Sequence, residues 1–245
     1  YPRHHLWGIE KIEREKSWKA TRISPNSVSI HSLVEKLLNQ AFFRGSAGAK
    51  AEIAALRAAR TADLIYSVCG PLALVRRFRK AKLVSWVFRE PPRLGRGASL
   101  AHAAYRPKNL KAHSGFLCLT PKAKNDFCKY AISRFLPWCV DLELFNGKSA
   151  EQQPAKPFFL ATGKTERDYE TLTQAAKQVN AEVRIIGPSY LCPSNLSPNI
   201  RWINTSKDPP DQAIDYPTLR NWYAQCIGVC IPLTGDAEDT CGYTN

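Results

Sequence analysis

The sequence predicts an α/β protein of two domains, each a parallel β-sheet covered by helices. Short apolar, β-branched or aromatic runs alternate with helical patterns along the whole chain, which is typical of strands joined by helices. The alternation is interrupted by a polar, proline-bearing stretch within residues 142–157 and then restarts. We therefore predict one domain over residues 1–150 and a second over 151–245.

In the first domain, buried apolar runs predict four strands and helical spacing predicts the helices between them. The strands are predicted over 62–69, 82–88, 115–119 and 132–136. Helices are predicted over 31–43, 50–60 and 71–80, and a further helix begins at Thr120-Pro121, a cap residue followed by proline.

The second domain repeats the alternation in the order βαββαβ. Strands are predicted over 158–161, 182–186, 200–203 and 227–233, with helices over 168–179 and 216–225. Asp215 is placed to cap the last helix, which tolerates Pro217 in its first turn.

Positive charge is confined to the first domain. Residues 1–150 hold 27 Lys and Arg against 10 Asp and Glu, net +17, whereas residues 151–245 hold 8 against 11, net −3. Such an excess favours anionic lipid headgroups, pyrophosphate-bearing acceptors or nucleic acid as partners, and its alternative is an ordinary solvated surface. Nothing resembles a helix-turn-helix or single-strand-binding module, so nucleic acid is the less favoured partner.

Cysteine usage and hydropathy favour a cytoplasmic protein. The eight cysteines form no Cys-x-x-Cys pair and are predicted to be small buried apolar residues in a reducing compartment. The spacing of Cys226, Cys230 and Cys241 matches no usual zinc pattern, so we predict no metal. No apolar run approaches the roughly 18 residues of a membrane span. Because the first domain is basic, peripheral binding to the inner face of the membrane stays open as an alternative.

The most informative segment joins a strand to a helix through a glycine and two cations. The strand from Phe158 ends at Gly163, a tight turn carries Lys164 and Arg167, and a helix begins near Asp168. Backbone donors and two positive charges thus converge where an anion would bind, and the alternative is a plain connection with solvent-facing cations. A Walker A loop needs glycine where Phe158 stands, and Gly95 with Gly97 lacks the third glycine of a dinucleotide fingerprint.

Several segments together resemble glycosyltransferase family four. Gly163-Lys164, followed by Arg167-Asp168-Tyr169, is similar to that family's donor-diphosphate turn. Residues 137–145 resemble its Gly-Val-Asp-x-x-x-Phe segment, with Cys139 in place of glycine. Residues 231–245 resemble the strand and loop before the donor-binding glutamate, which the family pattern places a few residues past Asn245.

The resemblance implies a GT-B glycosyltransferase of two Rossmann-like domains, the second incomplete in this chain. A sugar would pass with retention from a nucleotide-diphosphate donor to a saccharide, lipid-linked or small-molecule acceptor, without a metal or other cofactor. Lys164 and Arg167 would neutralise the diphosphate. The rest of the donor site would comprise Gly163, Gly242, Tyr243 and Thr244.

The start of the chain and the segment after the second strand are the candidates for the acceptor side. Residues 2–8 resemble a cleft-facing loop, which makes Arg3 and His4 candidates. Glu90 is a third candidate, in a segment where many relatives place a histidine instead. Two other functions stay open: a GT-B sugar-nucleotide epimerase, and a non-catalytic protein that binds nucleic acid or a membrane surface through its basic half.

Overall fold

A computed structural model describes residues 8–16, 18–68, 70–78, 80–88, 90–95, 97–137, 139–146, 156–163, 166–204 and 215–234. The described chain divides into two units, the first over residues 9–138 and the second from Cys139 onward. Each unit holds a four-stranded sheet in which all neighbouring strands run parallel, flanked by helices. The predicted α/β class with parallel sheets is confirmed.

The first unit builds its sheet in the order in which the strands occur along the chain. The strands are β1 (Leu64–Ser67), β2 (Lys82–Val87), β3 (Gly115–Cys118) and β4 (Ser133–Phe135), and the sheet order is β1-β2-β3-β4. The helices are α1 (Ile9–Lys16), α2 (Ser32–Ala41), α3 (Ala49–Ala58), α4 (Ala98–Ala101), α5 (Pro107–Leu110) and α6 (Pro121–Phe127). All four predicted strands are present in shortened form.

Two apolar clusters hold the helices of this unit against its sheet. Ala55 and Ala59 from α3 and its end pack with Ile65 of β1 and Leu83 of β2. The second cluster joins α5, α6, β2 and β3 through six buried residues: Val87, Leu110, Phe116, Cys118, Ala123 and Phe127. The hydroxyl of Thr120 accepts a hydrogen bond from the Ala123 amide at 3.0 Å, which begins α6 at the predicted cap.

The helix predicted over 71–80 is wrong. Only a single 3₁₀ turn forms there, at Val75–Arg77, and the chain is extended again at Phe78 (φ −74, ψ 112). The sequence favours a helix locally, but tertiary contacts decide the conformation of this segment. Its backbone is held by acceptors from two other elements.

Three successive amides of this segment donate to buried side chains. The Ala73 and Leu74 amides donate to the two carboxylate oxygens of Glu52, at 2.7 and 3.0 Å. The Leu72 amide donates to Nε2 of His113 at 3.4 Å, which requires the other ring nitrogen to donate to the Asn109 carbonyl, 2.9 Å away. Because both side chains are buried, these bonds fix the backbone after β1.

Burial shifts the titration of both acceptors. It raises the pKa of Glu52, against the lowering effect of the Ala73 and Leu74 amides. It lowers the pKa of His113 to about 4, against the raising effect of its backbone hydrogen bonds. The neutral imidazole is therefore the form that the folded unit holds at neutral pH.

The second unit has a different strand order. Its strands are β5 (Phe158–Thr162), β6 (Glu182–Gly187), β7 (Ile200–Asn204) and β8 (Gly228–Cys230), in the sheet order β7-β6-β5-β8. Its helices are α7 (Tyr169–Ala176) and α8 (Tyr216–Gln225), the latter capped by Asp215, whose carboxylate accepts from the Thr218 amide at 2.8 Å. The predicted βαββαβ order and the cap are confirmed, although β8 is shorter than predicted.

Helices α7 and α8 cover opposite faces of this sheet. Tyr169 and Ala176 of α7 pack on Ala161, Val183 and Ile185. Leu219, Trp222 and Tyr223 of α8 pack against Phe158, Leu160 and Ile186, which alternate with the first set along the strands. The unit thus has the three layers typical of a doubly wound sheet.

The structure bears on the predicted burial of the cysteines and on membrane-spanning segments. Cys118 is buried as predicted, whereas Cys128 and Cys139 are exposed, so burial does not hold for all of them. Among the described residues, none of the helices combines the length and apolar character that crossing a membrane requires.

The buried imidazole predicts an acid-sensitive contribution to stability. The unfolded state binds the His113 proton near pH 6.5 and the folded state only near pH 4, so the free energy of unfolding falls as the pH drops through this window. The loss amounts to about 3 kcal/mol. His113→Gln keeps an acceptor and a donor but no titratable group, so its stability relative to wild type should improve from pH 7 to pH 4 in urea unfolding. Parallel curves for the two proteins would contradict a buried neutral histidine.

Candidate functional site

The candidate site lies where the strand order of the second sheet reverses. From β5 the chain proceeds outward through β6 to β7, and then returns to place β8 on the other side of β5. In open parallel sheets, ligands bind outside the carboxyl ends of strands at such a reversal. Gly163 follows β5 directly, and Pro232 and Leu233 follow β8.

The turn after β5 is built around a contact between Gly163 and Arg167. Gly163 has φ 129, and a Cβ placed on it would come within 2.7 Å of Nε of Arg167. That Nε donates to the Thr162 carbonyl at 3.2 Å, and Arg167 is only 8% exposed. The absence of a side chain at Gly163 is therefore what allows the guanidinium to lie against the backbone at the end of β5.

The same turn carries a second left-handed residue. Glu166 has φ 53, a conformation that costs a non-glycine residue about 1 kcal/mol or more and that concentrates at binding sites. The Gly163 amide donates to the Ile186 carbonyl at 3.2 Å, so it stays part of the sheet. Two unusual backbone conformations thus shape the entry to α7.

Backbone hydrogen bonds join this turn to the segment after β8. The Asp168 amide donates to the Pro232 carbonyl at 3.0 Å, and the Thr234 amide donates to the Glu166 carbonyl at 3.1 Å. Arg167 and Leu233 form an antiparallel bridge between them. The connections on both sides of the strand reversal are consequently held together beside Arg167.

Two tyrosines that were not predicted as site residues form hydrogen bonds at the turn. The Tyr169 hydroxyl donates to the Gly163 carbonyl at 2.7 Å, and the Tyr223 hydroxyl lies 2.9 Å from that of Thr162. Burial raises the pKa of Tyr169 to about 12, while the nearby Arg167 charge acts in the opposite direction. Tyr169 belongs to the segment Arg167-Asp168-Tyr169, on which the family resemblance rests. No sequence pattern places Tyr223 next to β5.

The first turn of α7 is capped by its own carboxylate. Asp168 accepts a hydrogen bond from the Thr171 amide at 2.9 Å, and this bond lowers the pKa of Asp168. The sequence predicted that this helix N-terminus helps to hold an anion. Asp168 already supplies a negative charge to the Thr171 amide, and Arg167 is the cation among the described residues of the turn.

The structure describes three of the predicted site residues. Gly163 and Arg167 are brought into contact in the second unit. Glu90 follows β2 at the carboxyl edge of the first sheet, with Oε1 3.8 Å from Nζ of Lys122 in the first turn of α6. The other predicted residues lie outside the described part of the chain: Arg3, His4, Lys164, Gly242, Tyr243 and Thr244.

Within the described ranges, no three His, Cys, Asp or Glu side chains are grouped so that they could hold a metal ion. Comparison of the chain with models of protein families and with curated proteins finds no match.

Substituting Gly163 tests the contact that organises the turn. Gly163→Ala should lower the free energy of unfolding by about 2 kcal/mol, because the new Cβ meets the guanidinium and φ 129 is unfavourable for alanine. Gly95→Ala is the matched control, since a Cβ there meets no atom within 4 Å. Equal unfolding midpoints of the two variants in urea would show that Arg167 does not lie against Gly163.

Removal of one hydroxyl tests the support beneath the turn. Tyr169→Phe should cost about 1 to 3 kcal/mol, because it leaves the Gly163 carbonyl without its 2.7 Å donor. Tyr190→Phe, at a tyrosine that is 75% exposed, should cost nothing measurable in the same thermal unfolding experiment. Equal losses in both variants would contradict the hydrogen bond.

Proposed function

We propose that the chain is a GT-B-type glycosyltransferase whose second unit binds the diphosphate of a nucleotide-sugar donor. The observation that carries the proposal is the position of the Gly163–Arg167 turn at the carboxyl ends of β5 and β8, where the strand order reverses. The resemblance of this turn to the donor-diphosphate turn of glycosyltransferase family four supports the same assignment.

A cation that is held before the reaction begins is suited to this chemistry. When the bond between the anomeric carbon and the diphosphate oxygen breaks, its electron pair leaves with the oxygen. An acceptor hydroxyl forms the new bond, and its proton passes to the departing phosphate oxygen. The departing diphosphate therefore gains negative charge. The bond from Arg167 to the Thr162 carbonyl orients the guanidinium without reorganisation at the moment of transfer.

Lys164 is the proposed second cation, on the grounds of its place in the motif. Together the two side chains would neutralise the diphosphate without a divalent ion. The resemblance also implies that the anomeric configuration of the sugar is retained. The basic first unit would supply the acceptor side for a saccharide or lipid-linked substrate.

Calorimetric titration tests the proposal. Nucleoside diphosphates and their sugar conjugates are titrated into the protein, and at least one should bind. Lys164→Ala should weaken the binding about tenfold or more, since a charge-assisted contact contributes roughly 1.5 to 3 kcal/mol. Arg167→Lys keeps the charge but loses the planar fork, and it should also weaken binding.

Lys177→Ala is the matched control, because Lys177 follows the far end of α7 and is exposed. Thermal unfolding of each variant separates lost affinity from lost folding, which matters for the buried Arg167. Absence of binding by every nucleotide, or affinities that Lys164→Ala and Arg167→Lys leave unchanged, would refute the donor site. If the protein converts the sugar to its epimer without any acceptor, the activity of this site is epimerisation and not transfer.

A further inference from the structure

Helix α2 of the first unit is oriented with its apolar side toward solvent. Leu33 and Leu37, one turn apart, are 60% and 56% exposed, and Val34 beside them is 47% exposed. All residues of α2 are described, and none of them is buried. A helix that merely covers a core has the opposite arrangement, with its apolar stripe inward.

The side of α2 that faces its own unit is polar. Glu35 forms an ion pair with Lys50 of α3, with 2.7 Å between the charged atoms. Asn39 accepts a hydrogen bond from the Ala49 amide at 2.7 Å. Leu38 is half-buried, whereas Leu33, Val34 and Leu37 stay exposed and form an apolar stripe.

Exposed apolar side chains from the neighbouring segment extend the stripe. The Arg44 amide donates to the Ala101 carbonyl at 2.9 Å, and the Ala103 amide donates to the Phe42 carbonyl at 3.1 Å, so the end of α2 lies beside α4. Leu100 of α4 is 53% exposed and Phe42 is 40% exposed. We call the five residues Leu33, Val34, Leu37, Phe42 and Leu100 the apolar patch.

Cations predominate in the chain segments next to the apolar patch, whose Leu33 and Val34 lie beside Glu35. Residues 36–51 hold three Lys or Arg and no Asp or Glu, and residues 91–125 hold seven and again none. The two glutamates that border the first segment are both engaged: Glu35 in its ion pair and Glu52 in the buried bonds to Ala73 and Leu74. The surroundings of the patch are therefore suited to an anionic partner.

A polar groove runs along the other flank of α2. It encloses about 560 Å³ and is lined by Lys36 and Arg44 together with Ser32, Asn39, Gln40 and Ser46, with the paired Glu35 and Phe43 among its further walls. Two cations and several hydrogen-bonding side chains thus lie directly beside exposed leucines. This combination of cations and an apolar stripe matches the boundary between lipid headgroups and acyl chains.

We propose that the apolar patch and the adjoining groove form a docking surface for an anionic lipid bilayer. Leu33 and Leu37 enter the acyl boundary, while Lys36 and Arg44 contact anionic headgroups. A nucleic-acid partner would explain the cations through its phosphates, but it would leave the exposed aliphatic side chains unexplained. The surface lies wholly in the first unit and does not depend on what the second unit binds.

Co-sedimentation with vesicles tests the docking surface. The protein should bind vesicles of phosphatidylglycerol in phosphatidylcholine and should bind vesicles of phosphatidylcholine alone at least about tenfold more weakly. The double variant Leu33→Gln with Leu37→Gln should lose about tenfold or more in affinity, because it removes the side chains that enter the bilayer but keeps helix propensity. Lys36→Gln with Arg44→Gln should abolish the preference for the anionic lipid.

Leu142→Gln is the control, since that leucine is 71% exposed but belongs to the second unit. Circular dichroism of each variant confirms that the fold is retained. No binding to anionic vesicles, or binding that the double leucine variant leaves unchanged, would overturn the proposal. A lipid-free dimer that the same variant converts to a monomer would overturn it too, by making the patch a contact between copies of this chain.

Discussion

The guanidinium of Arg167 lies against a residue that has no side chain, and the turn after β5 depends on this approach. Gly163 adopts φ 129 at the end of β5, and the Nε of Arg167 donates to the preceding carbonyl. The turn is closed from one side by Tyr169 and from the other by backbone bonds to the segment after β8. Arg167 is thereby held at the carboxyl edge of the sheet by contacts within the protein.

The two sheets explain why this charge lies in the second unit. Among the described strands, the first sheet follows the chain order from β1 to β4, whereas the second reverses between β5 and β8. In open parallel sheets, ligands bind outside the carboxyl ends of strands at such a reversal. In the first unit the segment after β1 instead binds back onto Glu52 and His113, and the apolar stripe of α2 faces outward.

Local signals predicted much of the fold, and long-range contacts account for the rest. Apolar periodicity and the caps at Thr120 and Asp215 located strands and helices, because these signals act within a few residues. Of the helix over 71–80, the described residues form only the turn Val75–Arg77, and side chains 21 to 41 residues away bind the three amides that precede it. Arg167 was predicted as an anion ligand, but its burial against Gly163 and the support from Tyr223 depend on how the sheet brings distant segments together.

Hydrogen–deuterium exchange with and without a nucleoside diphosphate that binds tests the central claim directly. If the diphosphate contacts the turn, amides between Gly163 and Asp168 and those of Leu233 and Thr234 become protected together, because backbone bonds join the two segments. The first sheet should not show the same protection. Protection confined to the first unit, with unchanged exchange after β5, would contradict a diphosphate site at Arg167.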